Sequence, residues 1–401
     1  MSEPALPLEL PHRGITGDAR PLHVVSWGLG VESSAYLVEV LSDPDRHGID
    51  PSTMIVLHAV VGSEWAQTYT DAEQFLLPLL ADRGVRTVQL ARGGPRESDG
   101  IVVLDDTTRP QRLHRRGPWT LAEESTLSGT VPQLSHRRCS LKFKAWPLDT
   151  WISANLGDRP YEHVIGYSVE EMTRAKRDLV YATATRSPSH PLIRWGWTRD
   201  ACSARLLAEF GVIFQKSACV FCPYAGGRSL NSTLSRMRES PDEAATALLL
   251  EAPAIALNPR SKLFGTHSLL ERLIADGNTL AVDLFHARLA QQPWSVYEVR
   301  RLHFASRDKD SGLPDPARKG TSWRSVRTLY TGTENNARAW LAGRGYADDD
   351  GRLWLRQDLP DVYPRAEHFL VATTAGIAPK ARPSFEQQWQ RICGDDVLMD
   401  V

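Results

Sequence analysis

Two groups of residues in this sequence have the types and spacing that chemistry requires. The first is the stretch "SWGLG", Ser26 to Gly30, which joins an apolar run to a helical pattern that begins near Glu32. The second is a set of four cysteines in the middle third of the chain, namely Cys139, Cys202, Cys219 and Cys222. Glycines and hydroxyls between a strand and a helix favour a backbone cradle for an anion, and four thiolates favour a metal centre.

Three functional interpretations of Ser26 to Ser34 can be compared on the residues alone. A Walker-type loop requires a lysine before its final Ser or Thr, and this loop has none. A dinucleotide fingerprint requires three glycines, of which only Gly28 and Gly30 are present. A pyrophosphate loop uses backbone amides, small hydroxyl residues and a helix N-terminus, and Ser26, Ser33 and Ser34 suit it best. The remaining alternative is a tight structural turn, capped by serine, that binds no ligand.

Composition limits the class of protein. The chain has 401 residues with 42% hydrophobic and 24% charged residues, which predicts a globular protein of two domains or one elaborated domain. Its net charge of -1 provides no global basic field for nucleic acid. No apolar run approaches the roughly 18 residues of a membrane span, and the N-terminal stretch lacks the pattern of a signal peptide. We therefore expect a cytoplasmic protein without a membrane partner.

The first half alternates apolar runs with helical patterns. Strands are predicted at "LHVVSW", "STMIVLHAVV", "VRTVQLA" and Tyr161 to Ser168, with helices at "ESSAYLVEVLSD" and from about Thr68 to Arg83. Such a series predicts an α/β, doubly wound, mostly parallel sheet with helices on both faces. Residues 92–133 are polar and weakly periodic, which predicts a substrate-covering insertion or a disordered segment.

Three regions follow from these patterns. Residues 1–20 are expected to be a flexible lead, residues 21–226 a nucleotide-binding domain with the cysteine set, and residues 227–401 a mainly helical domain. Within the last region, "SRDKDSGLPDPARKGTSWRS" is expected to be a basic linker or loop, and "GRLWLRQDLPDVYPRAEHFLVATTAG" a small hairpin. Residues 317–325 could contact nucleic-acid phosphate, although a solvated loop is the stronger alternative.

Five segments, in order, resemble the PP-loop ATP pyrophosphatases, in the phosphoadenosine-phosphosulfate (PAPS) reductase-like branch that is related to the DNA-phosphorothioation ATPase. Together they span about residues 22 to 226. Glu32 stands where that family usually has Asp. The segments are "SWGLGVESS", "VVGSEWAQTYTDAEQFL", "RRCSLKFKAWPL", "VIGYSVEEMTRAKR", and "HPLIRWGWTRDAC" followed by "KSACVFCPY".

The resemblance implies a fold of the adenine nucleotide alpha-hydrolase type and an ATP-dependent enzyme. Such an enzyme adenylates an acceptor with release of pyrophosphate and supports sulfur transfer, using Mg²⁺ and a sulfur donor protein such as a cysteine desulfurase. The acceptor could be a nucleic acid. The catalytic residues implied are Ser33, Lys144 and Arg174. The nucleotide-binding residues implied are Ser26, Gly28, Gly30, Glu32, Ser33, Ser34, Gly62, Glu64, Arg138 and Lys142.

The four cysteines leave the metal undecided on spacing alone. Cys219 and Cys222, followed by Pro223, form a compact chelating turn, and the set fits tetrahedral zinc or a 4Fe-4S cluster. The resemblance favours the 4Fe-4S cluster, with zinc and unligated buried cysteines as alternatives. Cys393-Gly394 matches only part of the C-terminal thiol motif of true PAPS reductases, so Cys393 is predicted to be a surface or core residue. A PAPS or adenylyl-sulfate reductase, and a binding module with structural zinc, remain the alternative functions.

Overall fold

The protein is described here from a computed structural model, which covers residues 22–134 and 137–394. The lead predicted for residues 1–20 lies outside the described residues. The strands are β1 Leu22–Ser26, β2 Met54–Ala59, β3 Arg86–Arg92, β4 Ile101–Thr107, β5 Tyr161–Ile165, β6 Arg186–Ser189, β7 Trp294–Arg307, β8 Pro314–Gly332, β9 Arg352–Gln357 and β10 Arg365–Thr374.

Helices connect and cover these strands, and no helix of the described residues is long and apolar enough to cross a membrane. Two short segments between helices, Ala72–Leu76 and Leu141–Ala145, are π-helical turns. The helices are α1 Val31–Ser42, α2 Pro44–His47, α3 Ala66–Asp71, α4 Leu77–Asp82, α5 Leu121–Ser128, α6 Arg138–Ser140, α7 Trp146–Leu156, α8 Met172–Asp178, α9 Pro191–Arg194, α10 Arg199–Phe210, α11 Leu230–Glu239, α12 Pro241–Leu257, α13 Leu269–Ala275, α14 Thr279–Leu289, α15 Glu334–Ala342 and α16 Phe385–Cys393.

The chain divides into two compact units. Residues 22–121 and 137–219 form the first unit, and residues 122–134 and 220–394 form the second. The sequence analysis placed residues 122–134 in the nucleotide-binding domain, whereas they belong to the second unit. They are held there because Arg324 donates to the carbonyls of Ser128 and Gly129, and the amide of Ala378 donates to Leu127.

The first unit is built on a six-stranded sheet in the order β4-β3-β2-β1-β5-β6. All neighbouring strands are parallel except β3 and β4, which are antiparallel. The chain runs outward from β1 through β2 to β3, and later returns to the other side of β1 with β5 and β6. The direction of travel across the sheet therefore reverses between β1 and β5. In open α/β sheets, ligands bind outside the carboxyl ends of the strands at such a reversal.

Alternate residues of the central strands enter two different apolar clusters. Val25 and Val56 belong to a cluster with residues of α1 and α10. Val24 and Leu57 belong to another cluster with Trp151 and its neighbours in α7. Because successive side chains of a strand point to opposite faces, both faces of the sheet are covered, which explains the continuous apolar runs read from the sequence.

Residues 92–133 contain more regular structure than the sequence analysis predicted. They include the edge strand β4, which pairs antiparallel with β3, and the helix α5. Every residue of β4 is only partly buried or exposed. A strand at the edge of a sheet is stabilised by its single neighbour and by one covered face, so its apolar pattern is weak.

The prediction that residues 227–401 are mainly helical needs a correction, because it holds only for residues 230–289. Residues 294–374 form an antiparallel sheet in the order β8-β7-β10-β9, with α15 and α16 also present. The segment predicted to be a basic linker supplies the end of β7 and most of β8, while the predicted hairpin is confirmed as the antiparallel pair β9 and β10. The strand β8 is polar because only two of its residues, Ser325 and Val326, are buried, and its pairing with β7 rather than its own composition makes it a strand.

Candidate nucleotide site

The loop between β1 and α1 exposes its glycines and buries its large side chains. Trp27 and Leu29 are 1% and 2% exposed, whereas Gly28 and Gly30 are partly exposed. A Cβ atom added to Gly28 would meet no atom within 4 Å. The two bulky residues therefore anchor the loop in the interior, and its main chain stays accessible.

Internal hydrogen bonds brace this loop. The indole of Trp27 donates to the hydroxyl of Ser34 over 3.0 Å, and the amide of Trp27 donates to Leu57 over 2.8 Å. Leu29 has a φ of 56°, in the left-handed region that non-glycine residues rarely adopt. Strained backbone of this kind persists only where the surrounding structure enforces it, and it clusters at ligand sites. Ser34, 1% exposed, supports the loop from inside.

The first turn of α1 has no side-chain cap for its backbone amides. Its N-cap is Gly30, which offers no side-chain acceptor, and the hydroxyl of Ser33 donates to the Gly30 carbonyl over 3.3 Å. The early amides of an α-helix have no partner within the helix, and the helix dipole adds positive potential there. A phosphate group is the ligand that such an end accommodates best.

The end of β5 fixes the position of this turn. A Cβ atom on Gly166 would lie 2.8 Å from both the Cα and the amide nitrogen of Ser33. Ser217 approaches from another side, because a Cβ atom on Gly30 would lie 2.9 Å from its hydroxyl oxygen. Glycine is required at position 166 because the main chain of Ser33 occupies the space of a side chain.

Glu32, the residue that departs from the family pattern, is paired with Arg199. The guanidinium of Arg199 donates through Nε to the Glu32 carboxylate and pairs with it through Nη2, and the Arg199 amide donates to Glu170. This pairing raises the pKa of Arg199, against the opposing effect of burial. Glu32 thus ties α1 to the start of α10. Its predicted nucleotide-binding role stays a prediction.

A hydrogen-bonded chain supports Ser26 at the end of β1. Its hydroxyl lies 2.8 Å from Nε2 of His163, whose Nδ1 accepts a hydrogen bond from Nε of Arg186 over 2.9 Å. Arg186 in turn pairs with Asp178 over 2.8 Å. Because Nδ1 is an acceptor, we assign the ring proton of neutral His163 to Nε2, which donates to Ser26. The Ser26 proton is then available for an acceptor in the open site.

The burial of His163 predicts a pH-dependent stability. Burial, followed by the charge of Arg186, lowers the pKa of His163 from 6.5 to about 4. The unfolded chain therefore binds more protons than the folded chain between pH 4 and 6.5, and stability is lost as the pH falls through this window. We expect the free energy of unfolding of the wild type to rise with pH across this window relative to the His163→Gln variant.

Urea unfolding of both proteins from pH 4.5 to 7.5 measures this difference. The full pKa shift of His163 corresponds to about 3 kcal/mol in the free energy of unfolding. The contributions of other titrating groups cancel in the difference between the two proteins. A wild-type minus variant difference that does not change with pH would show that His163 is not buried as a neutral ring.

The carboxyl end of β2 brings together a second group of polar residues. Glu64 is 7% exposed, and its Oε1 accepts a hydrogen bond from Nζ of Lys144 over 3.1 Å. Gly62 has a φ of 80°, and a side chain there would overlap Thr120. Gly62 is therefore needed for the turn that places Glu64.

Several buried polar atoms of this group have no hydrogen-bond partner among the described residues. They are Oε2 of Glu64, the hydroxyls of Ser63 and Tyr69, and Nε2 of His58. Burial and then the Glu64 carboxylate raise the pKa of Tyr69. Buried polar atoms are almost always paired, so such a set indicates a place for a polar ligand or an ion.

His58 connects this group to the loop. Its Nδ1 donates to the carbonyl of Trp27 over 3.0 Å, which leaves Nε2 as an acceptor. Burial lowers the pKa of His58 to about 4, the hydrogen bond to Trp27 opposes this, and the charge of Lys144 lowers it further. His58 is therefore hydrogen-bonded to the loop and within electrostatic range of the Glu64–Lys144 pair.

The basic segment after residue 137 is shaped by a π-helical turn that contains Lys142 and Lys144. The buried Arg92 donates to the carbonyl of Lys142 over 3.3 Å and lies over the rings of Phe143 and Trp146. This anchor fixes the turn, and π-helical turns are frequent at functional sites. Arg138 is exposed at the start of the same helical segment.

Arg174, predicted to be catalytic, lies in α8 beyond the end of β5. Its guanidinium pairs with Glu171 and lies 4.6 Å from the centre of the Tyr167 ring. These contacts place it near the turn that follows Gly166. Neither contact reaches Ser26 to Ser34, so the catalytic role of Arg174 stays a prediction.

None of the five cysteines, all of which the structure describes, forms a disulfide. Cys139 is partly exposed in α6, and Cys219 forms an isolated antiparallel bridge with Glu64. Cys202 is fully buried in the first core of the sheet, where burial and then Glu32 raise its pKa to about 12. Cys222 belongs to the second unit and precedes the short turn Pro223–Ala225.

The placement of these cysteines gives no support of its own to a four-thiolate centre. Across residues 22–134 and 137–394, no group of three or more His, Cys, Asp or Glu residues is arranged to hold a metal ion. The 4Fe-4S or zinc centre of Cys139, Cys202, Cys219 and Cys222 stays a prediction.

The sequence analysis missed His58 and His163 as parts of the site. Both interrupt apolar strand runs, "MIVLHAVV" and "YEHVIGY", and a polar ring in a buried strand is the signal that could have identified them. It also missed Arg199 as the partner of Glu32, which no local pattern indicates, because the two residues are far apart in the chain.

Comparison with known proteins identifies no family for this chain. No protein-family model matches this sequence, and no curated protein is significantly similar to it.

Proposed function

We propose that the first unit is a PP-loop nucleotide-binding domain with a doubly wound, adenine nucleotide alpha-hydrolase-like fold. It binds ATP with the triphosphate on Ser26 to Ser34, adenylates an acceptor with release of pyrophosphate, and so supports sulfur transfer. The observation that carries this proposal is the accessible main chain of Gly28 and Gly30 at the reversal of strand order, beside the uncapped first turn of α1.

The polar groups around the loop support phosphate chemistry. Ser26 offers a hydroxyl donor, and Lys144 supplies a positive charge that the buried Glu64 holds in place. An acceptor oxygen attacks the α-phosphorus, and the bond from that phosphorus to the oxygen bridging to the β-phosphate breaks. Pyrophosphate leaves with the bonding electrons. Lys144 and the helix N-terminus stabilise the negative charge that grows on the leaving group.

Magnesium is the metal that this reaction implies, and Glu64 fits it. Its Oε2 is buried without a hydrogen-bond partner in the described chain. Magnesium is commonly held by one or two carboxylates together with substrate phosphates, so a cage of several protein ligands is not required. When bound, the ion supplies charge neutralisation of the phosphates.

Sulfur transfer completes the proposal. The terminal sulfur of a donor persulfide attacks the adenylated acceptor, and AMP leaves with the bonding electrons. An external thiol reductant then cleaves the remaining sulfur–sulfur bond to the donor. A cysteine desulfurase is the donor that the family resemblance implies. The proposed reaction has no step that uses a cysteine-bound metal cluster. The reductase alternative, which would bind a sulfonucleotide and use a mobile thiol, is not favoured, because Cys393 ends α16 and packs against an apolar cluster of the second unit.

Calorimetry and pyrophosphate release test this proposal. We expect ATP with Mg²⁺ to bind at least about 10-fold more tightly than AMP, because the loop holds the phosphates that AMP lacks. We also expect pyrophosphate release when ATP, a sulfur donor and candidate acceptors are supplied together. Equal affinity for ATP and AMP would contradict the phosphate-loop assignment. Binding of ATP without pyrophosphate release from any acceptor would support the binding-module alternative.

A further inference from the structure

A cavity of about 540 Å³ lies beside β6 in the first unit. In the sheet order β4-β3-β2-β1-β5-β6, β6 is the edge strand and pairs with β5. Ser187, Pro188 and Ser189 of this strand line the cavity. Proline has no N–H group to donate to a further strand, so inside sheets it is confined to such edges. The cavity therefore lies at an uncovered edge of the sheet that the described residues form.

One face of α8 and of the turn that follows it forms an apolar wall of this cavity. Four residues at positions i, i+3, i+4 and i+7 line it, namely Met172, Ala175, Lys176 and Leu179. Residues with this spacing share one face of a helix, and an apolar face usually packs against the core. Here the small Ala175 is buried, whereas Met172 and Leu179 remain 38% and 54% exposed. Covering these two large side chains with an apolar ligand would be favourable.

The fixed charges of the lining are one carboxylate and two cations. Glu162 is already paired, because Nδ1 of His23 lies 2.9 Å from its carboxylate, and the hydrogen bond from His23 is the main cause of its lowered pKa. Arg194 of α9 approaches Glu162 only to 3.8 Å, and its side chain is 66% exposed.

Lys176 is the second cation and carries the charge that the lining leaves unbalanced. It is exposed, and its ammonium group forms no ion pair with any residue that the structure describes. The single carboxylate, Glu162, is shared by His23 and Arg194. An anionic group of a ligand could therefore pair with Lys176 without displacing an existing partner.

We propose that this space, the β6 cavity, binds a small organic anion with an apolar body. The body packs against Met172 and Leu179, and the anionic group pairs with Lys176. Ligand sites in proteins have volumes of about 300–1,000 Å³ and combine apolar walls with a few placed polar groups, which is the composition found here. None of the lining residues belongs to the loop from Ser26 to Ser34. The inference therefore goes beyond the proposed nucleotide reaction and does not depend on ATP.

Fluorescence titration of the whole protein with 8-anilinonaphthalene-1-sulfonate, an anion with an apolar aromatic body, tests the proposal. We expect saturable binding to the wild type in the absence of ATP. Octanoate should displace the dye at least about 10-fold more effectively than 1-octanol, which has the same chain length without the charge. The variants Lys176→Gln and Leu179→Asp should each bind the dye at least about 10-fold more weakly than the wild type. Both side chains are exposed, so both variants should fold normally.

Each variant has a matched control at the next position in the chain. Arg177→Gln and Val180→Asp make equivalent changes of charge at exposed residues that do not line the cavity, and both should bind the dye like the wild type.

Wild-type dye affinity in Lys176→Gln would overturn the proposal, as would equal displacement by octanoate and octanol. Equal losses in Lys176→Gln and Arg177→Gln would also overturn it, because the dye would then respond to general surface charge. ATP affinity should be unchanged in all four variants, so failure of the β6 cavity is distinguishable from failure of the nucleotide loop.

Discussion

Replacing Gly28 by Val is expected to leave the first unit folded and to remove most of its ATP binding. A Cβ atom at this position meets nothing within 4 Å and the glycine has no positive φ, so the folded chain has room for the side chain. The same open space is where the triphosphate must approach the loop amides. We expect the free energy of unfolding to change by less than about 0.5 kcal/mol. We expect ATP affinity to fall at least about 100-fold, or about 2.8 kcal/mol.

Calorimetric titration with ATP and urea unfolding of the same preparation measure both quantities. The matched control is Gly227→Val, at a glycine of the second unit that also has open space and no positive φ. This control should retain wild-type ATP affinity. A Gly28→Val protein that binds ATP normally would show that phosphate does not approach the loop at this residue.

The Glu64–Lys144 pair gives the second large expected effect. In the single variant Lys144→Met, the buried Glu64 carboxylate loses its partly exposed cation, which should destabilise the protein by about 1–3 kcal/mol. In the double variant Lys144→Met/Glu64→Gln no charge is left buried, so most of that stability should return. Pyrophosphate release should nevertheless stay at least about 100-fold below the wild type in both, because the positive charge that Lys144 places beside the leaving pyrophosphate is gone. The double variant also lacks the Glu64 carboxylate that is proposed to hold Mg²⁺.

Thermal unfolding and pyrophosphate release under identical conditions separate these effects. The informative comparison is the double variant, because its stability shows that lost turnover does not result from unfolding. Restored turnover in the double variant would mean that Lys144 contributes only to stability. Equal stability of the single and double variants would mean that the two side chains are not paired.

The first sheet was predictable from the sequence because its central strands are apolar on both faces. The patterns around Val24, Ile55 and Val88 could only be strands covered on both faces, and the glycine loop after β1 followed from turn chemistry. The helix end near Arg83 was also predicted, and Gly84 there has a φ of 63°.

The second sheet could not be predicted in the same way. The strand β8 begins with "PDPARKGTS", which contains two prolines, one glycine and two basic residues, and it forms because β7 offers a long partner. All but two of its residues are exposed or only partly buried, so no apolar alternation indicates the strand. Pairing between distant segments is a tertiary effect that local patterns do not contain.

The site was predictable only in its local parts. Ser26, Gly28, Gly30 and Ser33 are contiguous, and their chemistry is visible in the sequence. The partnerships of Glu32 with Arg199 and of Ser26 with His163 join residues more than 130 positions apart, so they depend on the fold. The cysteines show the same limit, because the spacing of Cys219 and Cys222 is visible in the sequence, whereas their grouping with Cys139 and Cys202 depends on the fold and stays a prediction.

A crystal structure of the protein soaked with Mg²⁺ and α,β-methylene-ATP, whose α–β bond cannot be broken by this reaction, tests the central claim most directly. We predict that the triphosphate lies against the main chain of Gly28 to Ser33, with Lys144 and Glu64 at its side. Density for the triphosphate elsewhere on the molecule, with the loop from Ser26 to Ser34 empty, would contradict the account.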